Sequence, residues 1–527
     1  MASIDELYAR YGSGYKWLAT ISCLCAAIGM TMATTIVNVA LPYIQGEFGM
    51  TADQVAWVST GFLAANTGAM PAAAWCVASF GQRRTYLVAL LVFLLSSILG
   101  GQAPGPGILT IARIIQGAAA GLIQPLAMIT ILRVYPREQQ GFGVGMYGIG
   151  IVLAPAIGPS LGGWFVDNMT WRWVFYVPLP FSILAFVLSW LLMPDREESG
   201  KIARFDFLGA ALVYLAVFAA LGAISNGQRL GWDHGMIQAM LLVALLATGA
   251  FFWWELRTPE PLVKLDMFRN PGYASGVAVA FVYGAGLYGV TYLVPLFVEQ
   301  IQGMNPTHSG LLMLPAGLAL GLVFPLAGQF SDRFPAHYSL VPGLLVFSFS
   351  CFYLSDLTRH SSFFVVSLGL VLGRIGLGLL MPAMTRGAVR HAPATLTNYA
   401  SATVNFIRQL GGALGESLLT LFLDRRGTFH AQMLSYAGPT VVDYNGQTAM
   451  NAGAQQLMLN FQIIYPQSGV SPENVVPGTV HFLRRMLYPW AQTKAFQDGF
   501  LVVGCFFLLA LIPAYIVGTY KRRQQRP

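Results

Sequence analysis

Four ionisable side chains stand inside long apolar runs of this 527-residue chain: Arg113, Arg374, Arg408 and Glu416. A charge at bilayer depth is costly and usually marks a pathway, a relay or a gate. Arg113 sits in Arg113-Ile114-Ile115-Gln116-Gly117. A guanidinium keeps its proton, so Arg113 needs a carboxylate, carbonyls or water within reach. It either serves a cavity or gate, or snorkels to an interface. Glu416 ends the run Gly411-Gly412-Ala413-Leu414-Gly415-Glu416 and is the only acid of the four. Low dielectric favours a neutral carboxyl, which would let Glu416 take a proton on one side of a membrane and release it on the other. Arg408 lies on the same helix about 12 Å away, too far for a direct pair. Glu416 therefore calls for a partner on another helix, rests protonated, or is a carboxyl near the membrane face with no part in transport.

A second constellation is built from small residues. Gly141, Gly143, Gly145, Gly148 and Gly150 lead into Ala154-Pro155-Ala156-Ile157-Gly158-Pro159-Ser160-Leu161-Gly162-Gly163. Glycines at these spacings let helix backbones approach closely, and Pro155 and Pro159 remove backbone donors and kink the helix. The segment reads as a helix made to flex against a neighbour, or simply to pack tightly. No phosphate-cradling Gly-rich loop with Lys occurs, and no His-Glu-x-x-His cluster. All seven histidines fall in expected loops or at span edges, and the five cysteines have no paired spacing. No cofactor, metal or catalytic constellation is expected.

These residues must be held by elements in a non-aqueous solvent. The chain has 10% charged and 55% hydrophobic residues, against about 25% charged in soluble domains, and its mean hydropathy is +0.59. That excludes an ordinary soluble enzyme, a disordered chain and a disulfide-stapled domain. The +8 formal charge is scattered rather than gathered in a nucleic-acid patch. At about 20 apolar residues per crossing, the sequence predicts an all-α membrane protein of fourteen transmembrane helices. Span 1 is expected at 17–40, span 4 at 107–132, span 5 at 142–166, span 12 at 362–385, span 13 at 398–423 and span 14 at 498–519. Lys and Arg concentrate in alternate loops, which by the positive-inside rule puts both termini in the cytoplasm. The one long outer loop, 424–497, reads as two or more amphipathic helices, either a surface lid or a docking element.

A weak internal repeat is visible. Arg113 with Gly117 on span 4 matches Arg374 with Gly378 on span 12. The loop Gly328-Gln329-Phe330-Ser331-Asp332-Arg333 has a degenerate copy ending Phe80-Gly81-Gln82-Arg83-Arg84. This predicts a six-helix bundle over 1–200, two inserted helices within 201–271 and a second six-helix bundle over 272–527. Two related halves around a cavity suit alternating access.

With these motifs in place, the sequence resembles the fourteen-span drug:proton antiporters of the major facilitator superfamily, especially EmrB-like multidrug exporters. The resemblance rests on Thr35-Ile36-Val37-Asn38-Val39-Ala40-Leu41-Pro42, Arg113-x-x-Gln116-Gly117 and the antiporter-like run with Pro155, Gly158, Pro159, Gly162 and Gly163. Trp171 to Phe175, Gly328 to Arg333 and Arg408-Gln409-Leu410-Gly411-Gly412 also fit. It implies a major facilitator fold in a bacterial inner membrane and proton-driven efflux of amphipathic drugs, hence antibiotic resistance. It also implies a tripartite system with a periplasmic adaptor and an outer-membrane channel. There are two departures from the family pattern. Ala33 stands where an acid is usual, and Ala78 and Ser79 stand where an Asp-Arg pair is usual after span 2. We therefore assign proton coupling to Glu416 with Arg113, and gating to Gly328, Asp332 and Arg333. Asn38, Asn66, Gln124, Asn405, Gln409 and Arg408 are candidates to face the substrate cavity, or equally to serve as glue between helices. A uniporter or importer of a small metabolite is the alternative transport reading. A receptor or structural partner that uses the fold without transport is the alternative outside it.

Overall fold

The computed structural model describes residues 4–194, 204–437, 441–442, 448–449 and 475–519. It is almost wholly helical. A short α1 (Ile4–Tyr11) precedes α2 (Tyr15–Phe48), α3 (Ala52–Ala69), α4 (Ala72–Phe80), α5 (Gln82–Gly101), α6 (Pro106–Val134), α7 (Gln140–Asn168) and α8 (Leu179–Leu192). Then come α9 (Phe207–Leu230) and α10 (Gly235–Glu255), and after them α11 (Pro271–Gln300), α12 (Pro306–Arg333), α13 (His337–Leu354), α14 (Phe363–Arg390) and α15 (Thr397–Ala437). The last two helices, α16 (Val475–Leu509) and α17 (Leu511–Thr519), close the chain. A two-residue antiparallel pairing joins Val441–Val442 to Thr448–Ala449.

Local chemistry sets the helix ends. Thr51 and Gln54 form a reciprocal capping box at the start of α3, which satisfies two otherwise orphaned backbone donors. Asn270 and Asn305 cap α11 and α12, each followed by a proline at the first helical position, where a missing N–H costs nothing. Gly49 ends α2 at φ 61°, a left-handed stop open to glycine. Eleven helical segments among the described residues are long and apolar enough to cross a membrane. The expected second span is broken at Met70–Pro71 into α3 and α4, and α15 carries charges along its length. Neither of these nor α7 is among the eleven. Outward faces are greasy: Leu314, Leu318, Leu322 and Leu326 repeat at one-turn spacing on α12 and are all exposed.

Packing pairs the elements alike in both parts of the chain. Gly117 on α6 lies against the backbone of Phe62 on α3, so closely that a Cβ would collide with its carbonyl. Gly378 on α14 lies against Val323 on α12. In each case the glycine one turn past the buried arginine lets the neighbouring helix close in. The hairpin of α9 and α10 packs on α3 and α15.

The expected outer loop is shorter than the sequence suggested. Residues 424–437 continue α15 without a break, and 475–497 belong to α16, so these stretches prolong spans rather than form separate helices. Residues 438–440, 443–447 and 450–474 of this segment, where part of the expected amphipathic helices would fall, lie outside the described residues.

Candidate functional site

Arg113 is fully buried. Its Nε donates to the Val58 carbonyl at 3.1 Å, and its Nη1 donates to the Ala33 carbonyl at 3.1 Å and to Gln116 Oε1 at 2.6 Å. The guanidinium also lies 4.0 Å from the Phe62 ring centroid, a favourable cation–π arrangement. Gln116 Nε2 in turn donates to Ser97 at 2.5 Å. Backbone carbonyls and a ring therefore take the place of a carboxylate, and Ala33 meets the arginine through its main chain alone. The snorkelling alternative does not hold for a residue enclosed in this way. Nη2 has no partner.

Arg374 is also buried and donates to Thr291 Oγ1 on α11 at 2.8 Å, with Nη1 unpartnered. Arg408 donates to Asn405 Oδ1 at 2.9 Å, and Asn405 Nδ2 donates to the Ser401 carbonyl at 2.9 Å. Asn405 and Arg408 thus serve each other on one helix face. Gln409 Oε1 accepts from Tyr288 on α11 at 3.0 Å. Tyr147 on α7 donates to the Gln124 carbonyl at 3.2 Å and lies within the field of Arg408. Gln124 and Tyr147 are therefore neighbours across α6 and α7.

Glu416 is partly accessible on α15, and its charge reaches Tyr288 and Tyr292 of α11. Among the described residues none forms an ion pair or hydrogen bond with its carboxyl. Glu416 and Arg113 are not brought together, because Arg113 is enclosed among α2, α3, α5 and α6. Asn38 is exposed and accepts from Ser59 at 2.7 Å. Asn66 is buried with Oδ1 unpartnered.

Glycines of α7 act at close quarters. A Cβ at Gly145 would collide with the Phe324 carbonyl of α12, and one at Gly158 would come 2.7 Å from Thr35 Oγ1. Gly162 lies against Ile36, while Gly163 has only Val39 at 3.9 Å. Pro155 and Pro159 fall inside α7, which continues past both.

Asp332 and Gly328, two of the three residues expected at a gate, form a latch between α12 and α7. The Asp332 carboxylate accepts from the backbone N–H of Gly141 at 2.8 Å and of Phe142 at 3.0 Å, at the positive end of a helix dipole. Beside it, Gly328 meets the Gly141 backbone with no room for a side chain. Of the two charged residues assigned to the gate, Asp332 has its ion partner in Arg386 of α14 at 3.3 Å, and Arg333 is exposed. Arg386 also donates to the carbonyls of Ser331 and Arg137. Only a 54-residue separation hides this pair from sequence reading. Ala78 and Ser79, near the end of α4, offer no equivalent charge.

One half-buried cluster was not anticipated from the sequence. His430, expected in a loop, is inside α15, and with Arg426 it contacts Asp498 of α16 at 2.8 Å and 2.5 Å.

A helical shell this apolar, with arginines in its interior and a latch between packed helices, is the architecture of a membrane transporter. The Major Facilitator Superfamily profile matches residues 23–416, and the chain belongs to that family; it is a multi-pass membrane transporter. It is 31% identical to the uncharacterised MFS-type transporter YhcA of Bacillus subtilis, with 82% of this chain and 81% of that protein covered. It is 29% identical to the multidrug export protein EmrB of Haemophilus influenzae over 83% and 87%. Over 96% and 90% it is 30% identical to a multidrug resistance protein B homologue of Mycobacterium tuberculosis. Among solved structures it shares the fold of the proton:xylose symporter XylE, at TM-score 0.60 and 14% identity over 95% of each chain.

Proposed function

We propose that this protein is a proton-coupled multidrug exporter of the bacterial inner membrane with fourteen spans and cytoplasmic termini. Two six-helix bundles, 1–200 and 272–527, rock about a shared cavity while residues 201–271 form the inserted pair. The observation that carries this reading is an unpartnered acid, Glu416, set about 28 Å along α15 from its start and away from a latched end. Glu416 takes a proton from one side and yields it to the other, and cargo leaves in exchange. Names of relatives at about this identity support the multidrug part of the reading.

Asn38, Asn66, Gln124, Asn405, Gln409 and Arg408 line or support the cavity, Gly158, Gly162 and Gly163 with Pro155 and Pro159 give α7 its freedom to move, and Gly328, Asp332 and Arg333 mark the gate. The chain holds 34 Phe, 11 Trp and 20 Met, and aromatic faces with flexible thioethers suit amphipathic cargo of varied shape. The segment 424–497 docks a periplasmic adaptor that leads to an outer-membrane channel.

The test is transport by the reconstituted protein under an imposed pH gradient. Glu416→Gln abolishes gradient-driven export while the protein stays folded; unchanged export refutes the assignment. Deleting the middle of 424–497 abolishes co-purification with the adaptor. A uniporter or importer is the second reading, favoured by Ala33, which leaves Arg113 without an acid; transport indifferent to the pH gradient would establish it.

A further inference from the structure

The two connections that join the inserted hairpin to the rest of the chain meet at a pair of acids. Asp206 ends the first connection and caps α9, its Oδ1 accepting from Gly209 N at 2.8 Å and from Trp254 Nε1 at 2.7 Å. Glu255 is the last residue of α10, and its Oε2 accepts from Val263 N at 3.3 Å, which holds the second connection against the helix. The remaining oxygens, Asp206 Oδ2 and Glu255 Oε1, have no partner. Both side chains are more than nine-tenths buried, at 7% and 3% exposure.

The two free oxygens converge on one spot. A Cβ built on Gly209 would clash with Asp206 Oδ2 and lie 3.0 Å from Glu255 Oε1. The glycine therefore leaves room for both oxygens side by side. A charged Glu255 enclosed beside the Asp206 carboxyl is costly, whereas a proton on Glu255 directed at Asp206 Oδ2 satisfies both orphaned atoms. The charged neighbours are few. Lys264 of the second connection acts on Glu255 and lies 5.4 Å from the Tyr399 ring centroid of α15. Arg257 is exposed over Trp253 at 4.2 Å, and Arg204 and Glu260 are exposed. The Trp75 ring lies tilted against Phe205 at 4.4 Å and helps to shield the first connection.

We propose that Glu255 holds a proton directed at Asp206 and so forms a protonation-dependent clasp between the two connections of the inserted hairpin. With the proton present, Glu255 stays turned inward and keeps Val263 bound. With the proton lost, repulsion drives Glu255 away and frees the segment 256–264. This proposal does not depend on export or on Glu416.

Hydrogen–deuterium exchange on the full-length protein in lipid nanodiscs tests it. After correction for intrinsic exchange, protection of residues 256–264 in the wild type falls about tenfold from about pH 6 to about pH 9. In Glu255→Gln the side-chain amide supplies the missing donor to Asp206 permanently, so protection persists across that range. Asp206→Asn supplies a donor from the other side while still capping the helix, and gives the same result should Glu255→Gln fold poorly. Wild-type protection that is independent of pH, or variants that lose protection as the wild type does, overturns the clasp. Loss of protection on adding a chelator at constant pH also overturns it, because a divalent cation would then occupy the site.

Discussion

Replacing Asp332 by Asn tests the latch directly. The carboxylate makes two bonds to backbone N–H groups at 2.8 and 3.0 Å and an ion pair at 3.3 Å. Asn keeps one acceptor oxygen but loses the charge and one bond. Hydrogen bonds to charged groups contribute about 1.5–3 kcal/mol against about 0.5–1.5 for neutral ones. A negative charge at a helix N-terminus adds about 0.3–1 kcal/mol, and about 2 where partly buried. The latched arrangement should therefore weaken by about 2–3 kcal/mol, which lowers its population ratio roughly 30- to 150-fold. Spin labels at exposed Pro136 and Gln329, one on each side of the latch, report the change as a distance distribution in nanodiscs. The wild type gives one short distance; Asp332→Asn adds a longer population. A variant that is folded and shows the unaltered short distance refutes the reasoning, and Gly141 to Gly328 packing would then hold the end shut without the charge.

Three further outcomes follow from the same geometry. Arg113→Lys cannot reproduce bonds to Val58, Ala33 and Gln116 from a single ammonium, so thermal unfolding of the purified protein should show a loss of about 2–3 kcal/mol; an unchanged melting temperature rejects the carbonyl cage as its support. Gly117→Val drives a side chain into the Phe62 backbone and should cost about 1–3 kcal/mol in the same assay, while Gly105→Ala, with nothing within 4 Å, leaves the melting temperature in place. Asp498→Asn unpairs Arg426 and His430 in a partly exposed cluster, so global stability should change by under about 1 kcal/mol, yet amide exchange over 424–433 should rise; equal exchange would show that the ion pairs are incidental.

What the sequence made legible was whatever depends on local pattern in a uniform solvent. Apolar runs were legible as helices and the glycines of α7 as points of close approach because each needs only its own neighbours, while the Arg113–Gly117 and Arg374–Gly378 spacings were legible as a repeat. Asp332 was legible as a candidate gate residue, but no partner for it could be named; its pairing with Arg386 and with the start of α7 is set by how α7, α12 and α14 pack. Glu255 and Asp206 were hidden for a related reason. Each sits at a helix boundary, where an acid looks solvated, and only the fold shows them enclosed together. The ends of α15 and α16 were misplaced because polar, helix-compatible residues continue the helix after the apolar run stops, and hydropathy registers the run alone. Asn38, Asn66 and Gln124 remained interchangeable in sequence because an amide suits a cavity wall and a helix contact equally well.

The length of α15 has a mechanical outcome. Its 41 residues make a rod of about 60 Å, twice the roughly 30 Å of a hydrocarbon core, and Asp498 ties its upper reach to α16 as a strut ties a mast. A tilt of about 10° at the base would swing the tip by roughly 10 Å. Small rearrangements deep among Arg408, Gln409 and Glu416 would then arrive, amplified, at whatever stands above the membrane.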